Sequence, residues 1–332
     1  MRVRKWTVAA IAAFSLVTVL AAPLAGPHQL HLAGLWRPGA DNIDARIFWD
    51  IRLPRVCTSF LAGSALAAAG LAFQAMFRNP LATPFTLGVA SGASLGACVY
   101  VGLGFTFTIF GFSGEIVGSF AGALLAVGLV YGVSRFKHGF TTGEMLLAGV
   151  AVSFFFSSLI LLIQYMSDFT KSFNILRRLI GGIQVVGFDP AFELLPFVAG
   201  GVAVVISLSH ELNLLLLGED IATARGVNVA RTRKIIFIAV SLMVAGVVSV
   251  CGPIGFVGMM APHIVRQLLG PDHRVLSLGA VAFGGGFLTL CDTLARTVIA
   301  PVEIPVGVIT ALLGGPFFLW LLMAGSSGRD VW

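Results

Sequence analysis

LGEDIATARGVN, residues 217–228, is the polar stretch around which the rest of the chain is arranged. Its flanks are compatible with hydrocarbon, and it is not. It carries Glu219, Asp220 and Arg225, follows the apolar run 214–217 and precedes the basic cluster Arg231, Arg233 and Lys234. Ala222, Ala224 and Arg225 favour helix, and Gly226 suits the left-handed position that closes one. The stretch reads as a short exposed helix held between two membrane spans. An ordinary loop with one helical turn is the plainer reading of the same residues.

The flanks set the class. Of 332 residues, 57% are hydrophobic and 11% charged, with a mean hydropathy of +0.96. Soluble domains are about 25% charged. The chain is therefore a polytopic membrane protein. The net charge of +6 does not require a nucleic acid, because basic loops follow from membrane topology. Cys57, Cys98, Cys251 and Cys291 lie in or beside apolar runs, without CxxC or Cys/His spacing. They read as small packing residues rather than a disulfide or zinc site.

Taken in order, Arg2, Arg4 and Lys5 precede the apolar run 6–24. That pattern also fits a signal peptide with a cleavage-like site at 22–25. The run is about long enough to span a bilayer, and Pro23 within the site argues against cleavage, so a retained first span is expected. A polar loop at 26–55 contains His28 and His31. Nine further spans are expected near 56–77, 81–107, 116–133, 145–166, 194–208, 235–252, 254–269, 275–296 and 304–323. Small residues along 62–70 allow close helix approach. Pro84, Gly88, Gly92 and Gly96 predict an irregular start and a tightly packed face for the third span. A second polar loop at 167–189 holds a short amphipathic helix at 173–180, ending at Gly181 and Gly182. The eighth span, with Pro262, His263 and Arg266, reads as a half-helix ending at the membrane surface. The whole, residues 1–332, reads as one transmembrane domain.

With ten spans and both termini inside, thirteen of the 21 Lys and Arg residues fall on the cytoplasmic side and eight outside. The bias supports this orientation. The outer group includes Arg52, Arg55 and Arg296, an excess that needs its own reason.

The energy source lies elsewhere. No G-x-x-x-x-G-K-[ST] occurs, so the chain has no P-loop. An ion-driven pump requires ionisable groups at bilayer depth. Apart from Asp292 and Arg296, which can pair at i,i+4, the span interiors lack them. Glu144 and Glu303 stand at span ends. An external motor fits better than a secondary transporter driven by an ion gradient, which is the alternative. An intramembrane enzyme would need an acid/base pair or a Ser/Lys constellation at depth, and none is found.

Three long stretches carry a family resemblance. Residues 52–93, RLPRVCTSFLAGSALAAAGLAFQAMFRNPLATPFTLGVASGA, contain RLPR, Q-x-x-F-x-NPLA-x-P and LG-x-x-x-GA. The second half contributes GPIGFVGMMAPHIVRQLLGPDHR, CDTLAR and EIPVGVITALLGGPFFLWLL. Together with LLGEDIATARGVN they resemble the permease subunits of the ABC importer family for vitamin B12, haem and iron–siderophores, over about residues 52–323. The resemblance implies an all-α polytopic fold of about ten transmembrane helices, the type II ABC importer permease fold. It implies a subunit of a bacterial cytoplasmic membrane that works as a homodimer. Two ATPase subunits would hold ATP and Mg inside, and a substrate-binding protein would dock outside. The chain itself would be no enzyme and would bind no cofactor, metal or nucleic acid. Family cargoes are large metal chelates, and a few relatives carry smaller oxyanions.

The resemblance also assigns roles. Leu217, Gly218, Glu219, Asp220, Ala222, Arg225 and Gly226 would form the coupling helix that seats in the ATPase. Asn79 and Leu81 would stand at a cytoplasmic constriction, although Asn-Pro is itself a turn former. Thr141 and Thr142 belong to the same gate region, although Thr is also a good N-cap. Arg52, Arg55 and Arg296 would meet acidic residues of the binding protein, against the plainer reading that they snorkel to the headgroups. His263 lacks a second ligand at metal spacing. It reads as structural, facing the ATPase interface with Arg266. His28 and His31 read as a solvated loop, with a haem-relaying pair as the alternative. Phe154, Phe155 and Phe156 read as lipid-facing or packing bulk, and Gln164 and Tyr165 as candidates for the pathway wall.

Overall fold

In hydrocarbon a backbone must satisfy its own N–H and C=O groups, and a helix does so within one segment. The computed structural model describes residues 2–31, 42–109, 112–136 and 142–325. The chain begins with α1 (Arg2–Ala21). A short α2 (Ile43–Arg46) runs through a π-helical turn (Ile47–Arg52) into α3 (Leu53–Phe77). Then come α4 (Val89–Leu103), α5 (Gly114–Phe136), α6 (Thr142–Met166), α7 (Phe169–Leu179), α8 (Asp189–Ser207) and α9 (Ser209–Leu217). The last are α10 (Glu219–Ala224), α11 (Val229–Cys251), α12 (Val257–Leu269), α13 (His273–Thr297) and α14 (Val306–Gly325). Each of the ten expected spans coincides with a helix. Among the described residues six helices are long and apolar enough to cross a membrane, and Lys5–Ala21, Val89–Leu103 and Val306–Leu321 are shorter apolar helices. At about 1.5 Å per residue, the 13 residues of α12 reach about 20 Å, well short of a bilayer core of about 30 Å. The expected half-helix is present.

Two boundaries differ from expectation. The third span starts at Val89 rather than near 81, because residues 79–88 form turns and Gly88 holds φ +76° as the N-cap. The helix in the second polar loop starts earlier, at Phe169, where Asp168 accepts a hydrogen bond from the Lys171 backbone N–H (2.8 Å). α9 was not anticipated. Its run of leucines, 214–217, continues a helix that restarts at Ser209 directly after α8.

α3 is the central element, and nearly all of it is buried. It succeeds there because its side chains are small. At Gly63 a Cβ would collide with the Gly284 carbonyl of α13, and at Gly70 with the Gly258 carbonyl of α12. Ser59 and Thr289 share a hydroxyl hydrogen bond (3.0 Å), and Ser64 donates to the Val281 carbonyl (3.0 Å), tying α3 to α13. Dispersion and such polar contacts hold helices together in lipid, where no hydrophobic drive separates helix from acyl chain. The same device joins α4 to α5, where Gly92 and Gly96 lie against the Gly122 and Gly118 carbonyls. Around this scaffold Phe73, Phe77 and Phe237 make edge-on ring contacts. α6 is the opposite case and exposes Leu147, Phe154, Leu161 and Tyr165 along its length.

The close approach at Gly70 makes a testable difference. Gly70→Val forces two backbones apart, and overpacking of this kind costs about 1–3 kcal/mol. Gly200→Val, where nothing lies within 4 Å, should leave stability nearly unchanged. Melting of the purified protein in detergent compares the two, and equal midpoints would refute the packing assignment.

Candidate functional site

The polar stretch at 217–228 folds as the sequence indicates. Gly218 ends α9 with φ +125°, a backbone that other residues rarely adopt, and the chain restarts at once as α10. Gly226 (φ +86°) closes α10, and the Val227 N–H reaches back to the Ala222 carbonyl (3.0 Å). Ala222 is the one fully buried residue of the short helix and packs with Leu215 and Val227. Glu219, Asp220, Ile221, Thr223, Ala224 and Arg225 are exposed. The segment is not wholly without partners, since Arg233 of α11 pairs with Glu219 (2.5 Å). A helix of six residues is far below the length at which helices persist alone in water. It is kept here by its glycine ends, by Ala222 and by the flanking α9 and α11.

The turn after α3 lies near the base of this segment. Arg78 takes a left-handed conformation (φ 49°), and the Asn79 N–H bonds the Gln74 carbonyl (3.1 Å). The Asn79 side chain accepts from the Leu81 N–H (2.8 Å), so asparagine here shapes its own turn. Asn79 and Leu81 are both half-buried. Thr142 opens α6, and Thr141 lies outside the described residues. Phe77, Arg78 and Asn79 share a cleft of about 790 Å³ with Asn213, Leu216 and Leu217 of α9 and with Arg266, Pro271 and Asp272. Three residues at or behind the cleft, Asn213, Asp272 and His273, carry no signal in the sequence that joins them. Asn213 bonds Asp272 and His273 across sixty positions. Asp272, following Gly-Pro, had the signature of an N-cap, but nothing in the leucine-rich α9 pointed to its partner.

The three arginines expected to meet a binding protein stand at the opposite end of α3 and α13, and all three are engaged within the chain. Arg52, Arg55 and Arg296 are 4%, 7% and 3% exposed. Arg52 donates to the carbonyls of Pro23 (3.2 Å), Leu24 (3.1 Å) and His28 (2.5 Å). Arg296 donates to the Ala22 carbonyl (2.6 Å). Both guanidinium groups therefore answer carbonyls left over where α1 ends, and place positive charge at the negative pole of that helix. Arg55 grips Asp292 with Nε and Nη2 (2.9–3.1 Å) and Glu303 with Nη1 (2.8 Å). Asp292 thus belongs chiefly to Arg55. Its expected partner Arg296, one helical turn away, is 3.8 Å distant. Sequence distance concealed this, since Arg55 and Asp292 are 237 positions apart.

One further expectation changes. His263 and Arg266 do not face outward. Both are buried, Gln267 donates to His263 Nε2 (2.9 Å), and Arg266 donates to Gln74 Oε1 (3.2 Å). The short α12 turns these side chains toward α3 and toward Phe317 of α14. His28 pairs with Asp44 (2.8 Å), whose second oxygen accepts from the His31 N–H (3.1 Å). On α6, Phe154 and Phe155 are exposed and Phe156 is buried. Gln164 is tied to Ser172 of α7, and Tyr165 is exposed.

The arginine cluster generates a thermodynamic test. Removing one member of a buried ion pair costs about 3–5 kcal/mol, because the other charge stays behind. Arg55→Met and Asp292→Leu should each lower the melting temperature sharply in detergent. The double variant should recover part of the loss, since both charges leave together. A double variant worse than either single one would show that the pair is not the source of the effect.

Residues 13–324 match the FecCD transport family. The hemin transport system permease protein HmuU of Yersinia pestis is 33% identical over 92% of this chain and 91% of its own. The cobalamin import system permease protein BtuC of Halobacterium salinarum is 40% identical over 83% of this chain and 73% of its own. A solved inward-facing structure of a metal-chelate type ABC transporter superposes with a TM-score of 0.83 at 29% identity, covering 96% of this chain and 98% of that one. A match over nearly all ten helices, with the glycine contacts and the short polar helix inside it, places the chain in the FecCD transport family of ABC importer permeases.

Proposed function

We propose that this chain is the permease of an ATP-driven importer that carries a metal chelate, of the haem, cobalamin or iron–siderophore kind, from an external binding protein to the cytoplasm. Two copies form the path on a two-fold axis, and both termini of each copy lie in the cytoplasm. Two separate ATPase subunits hold ATP and Mg and take α10 into a groove. The observation that carries this reading is α10 itself. It is a six-residue helix secured through Ala222 and the Glu219–Arg233 pair, with Asp220, Ile221 and Arg225 left outward. A rigid lever needs such a fixed root and a free face. The exposed apolar face of α6 offers area to a second copy and to the path. Asn79 and Leu81, at the α10 end of α3, form the constriction toward the cytoplasm, and Thr141 and Thr142 are assigned to the same gate.

The route can be tested with defined probes. Hemin, cyanocobalamin and ferric dicitrate are offered to proteoliposomes containing the permease, its ATPase subunits and its binding protein. Uptake of one probe should require internal ATP and survive collapse of the proton gradient. Uptake that follows the gradient and ignores the ATPase would make the chain a secondary transporter instead.

Two variants probe the named residues. Gly226→Val forces a side chain into the left-handed region at about 1–2 kcal/mol and tilts α10. ATP hydrolysis by the assembled complex should persist while uptake falls, and normal uptake after scrambling 219–226 would remove α10 from coupling. Cysteine at Asn79 or Leu81 should cross-link to its mate in the second copy, with a yield that changes with nucleotide. Absence of the cross-link in every nucleotide state would move the constriction elsewhere.

A further inference from the structure

α10 has to act on the membrane helices through whatever holds its stem. The stem is α9, joined to α10 through Gly218 alone. One face of α9 is fixed by packing, with Leu212 and Leu215 fully buried. The other face, carrying Asn213, Leu216 and Leu217, borders the cleft of about 790 Å³. Across that boundary Asn213 is the polar tie. Its Oδ1 accepts from the His273 backbone N–H (2.9 Å) and from His273 Nδ1 (2.9 Å), and its Nδ2 donates to Asp272 Oδ1 (2.9 Å). A backbone N–H can only donate, so the amide orientation is determined by its partners. Asp272 is also the N-cap of α13, accepting from the Arg274 N–H (3.1 Å). His273 is fully buried, and its remaining Nε2 has no hydrogen-bond partner. The imidazole is therefore spent on Asn213.

We infer that Asn213, with Asp272 and His273, is the latch through which movement of α10 is transmitted to α13. This rests on the proposed role of α10 and says where its force goes. α13 is 25 residues long, about 37 Å at 1.5 Å per residue. At its far end Asp292 holds Arg55, and Arg296 holds the end of α1. A side-chain amide that satisfies the first residues of such a helix grips the rod at its root. Coupling of this kind requires an element that both sites bias, and α13 is bonded at one end to α9, the stem of α10, and at the other to α3 and α1. Asn213 is a positioning residue.

The test separates transmission from folding. The complex of permease, ATPase subunits and binding protein is assayed with whichever of hemin, cyanocobalamin or ferric dicitrate the wild type takes up, and ATP hydrolysed per molecule imported is the readout. Asn213→Ala should keep the ATPase subunits bound on purification yet raise that ratio at least about fivefold, the lower end of ordinary allosteric coupling. Asn213→Asp alone sets a carboxylate against Asp272 and should uncouple as well. The exchange Asn213→Asp with Asp272→Asn removes the facing carboxylates and restores the hydrogen bond between the two side chains, at the expense of the Arg274 N–H that shares Asp272 Oδ1, and should bring the ratio well below that of Asn213→Asp alone. A merely structural role would instead lower uptake and hydrolysis in parallel and leave the ratio alone, which would overturn the latch. So would an exchange that assembles and stays uncoupled. A measurement with the latch intact guards against variants that fail to assemble. Spin labels at Asp220 and Leu278 should keep one separation with and without ATP, and a nucleotide-dependent change would show that α10 and α13 do not move together. Normal transport by a chain scrambled at 219–226 would defeat the role of α10 itself, whatever the latch variants do.

Discussion

A guanidinium buried in a membrane protein has to be satisfied by the protein, and the contact between Arg55 and Asp292 is how this chain meets that demand. A charged side chain at the centre of a spanning helix costs about 2.5–3.5 kcal/mol on insertion scales. Paired and hydrogen-bonded, the same group fixes geometry. Arg55 joins the start of α3 to the end of α13 and, through Glu303, to the connection leading into α14. Arg52 and Arg296 extend the arrangement to the end of α1. α3 and α13 are thus pinned together at one end by charge.

Along their length they are held by absence of bulk. Gly63 against Gly284 and Gly70 against Gly258 bring backbones to contact, and hydroxyls at Ser59, Ser64 and Thr289 bridge what remains. At the far end the Asn213 amide closes the frame from α9. Charge at one end, close packing between and an amide at the other make α3 and α13 a rigid pair.

Burial and partner choice also account for what a linear reading leaves out. Arginines beyond the expected positive side suggested a display surface, and nothing in a linear sequence indicates that they also donate to Ala22, Pro23 and Leu24. Asp292 and Arg296 do pair at i,i+4 spacing (3.8 Å), but the closer partner, Arg55, is not near Asp292 until α3 and α13 cross. His263 and Arg266 suggested an outward polar turn because they follow Pro262. The short α12 instead turns them toward Gln74 and Phe317.

What the sequence by itself determined is whatever depends on local periodicity and composition. Ten apolar runs became ten helices, Gly226 closed α10, and Pro84 with Gly88 delayed α4, because each follows from backbone preference and from the length of chain that hydrocarbon requires. The family was legible for the same reason, in unbroken motifs at 52–93 and 252–274. What only the tertiary structure decided is which polar groups answer one another. Hydrogen bonds and ion pairs act over about 3 Å, and the residues that form them here are separated by 60, 192 or 237 positions. No periodicity encodes such a distance, so the uses of Arg55, Gln74 and Asn213 became visible only when the helices were placed side by side.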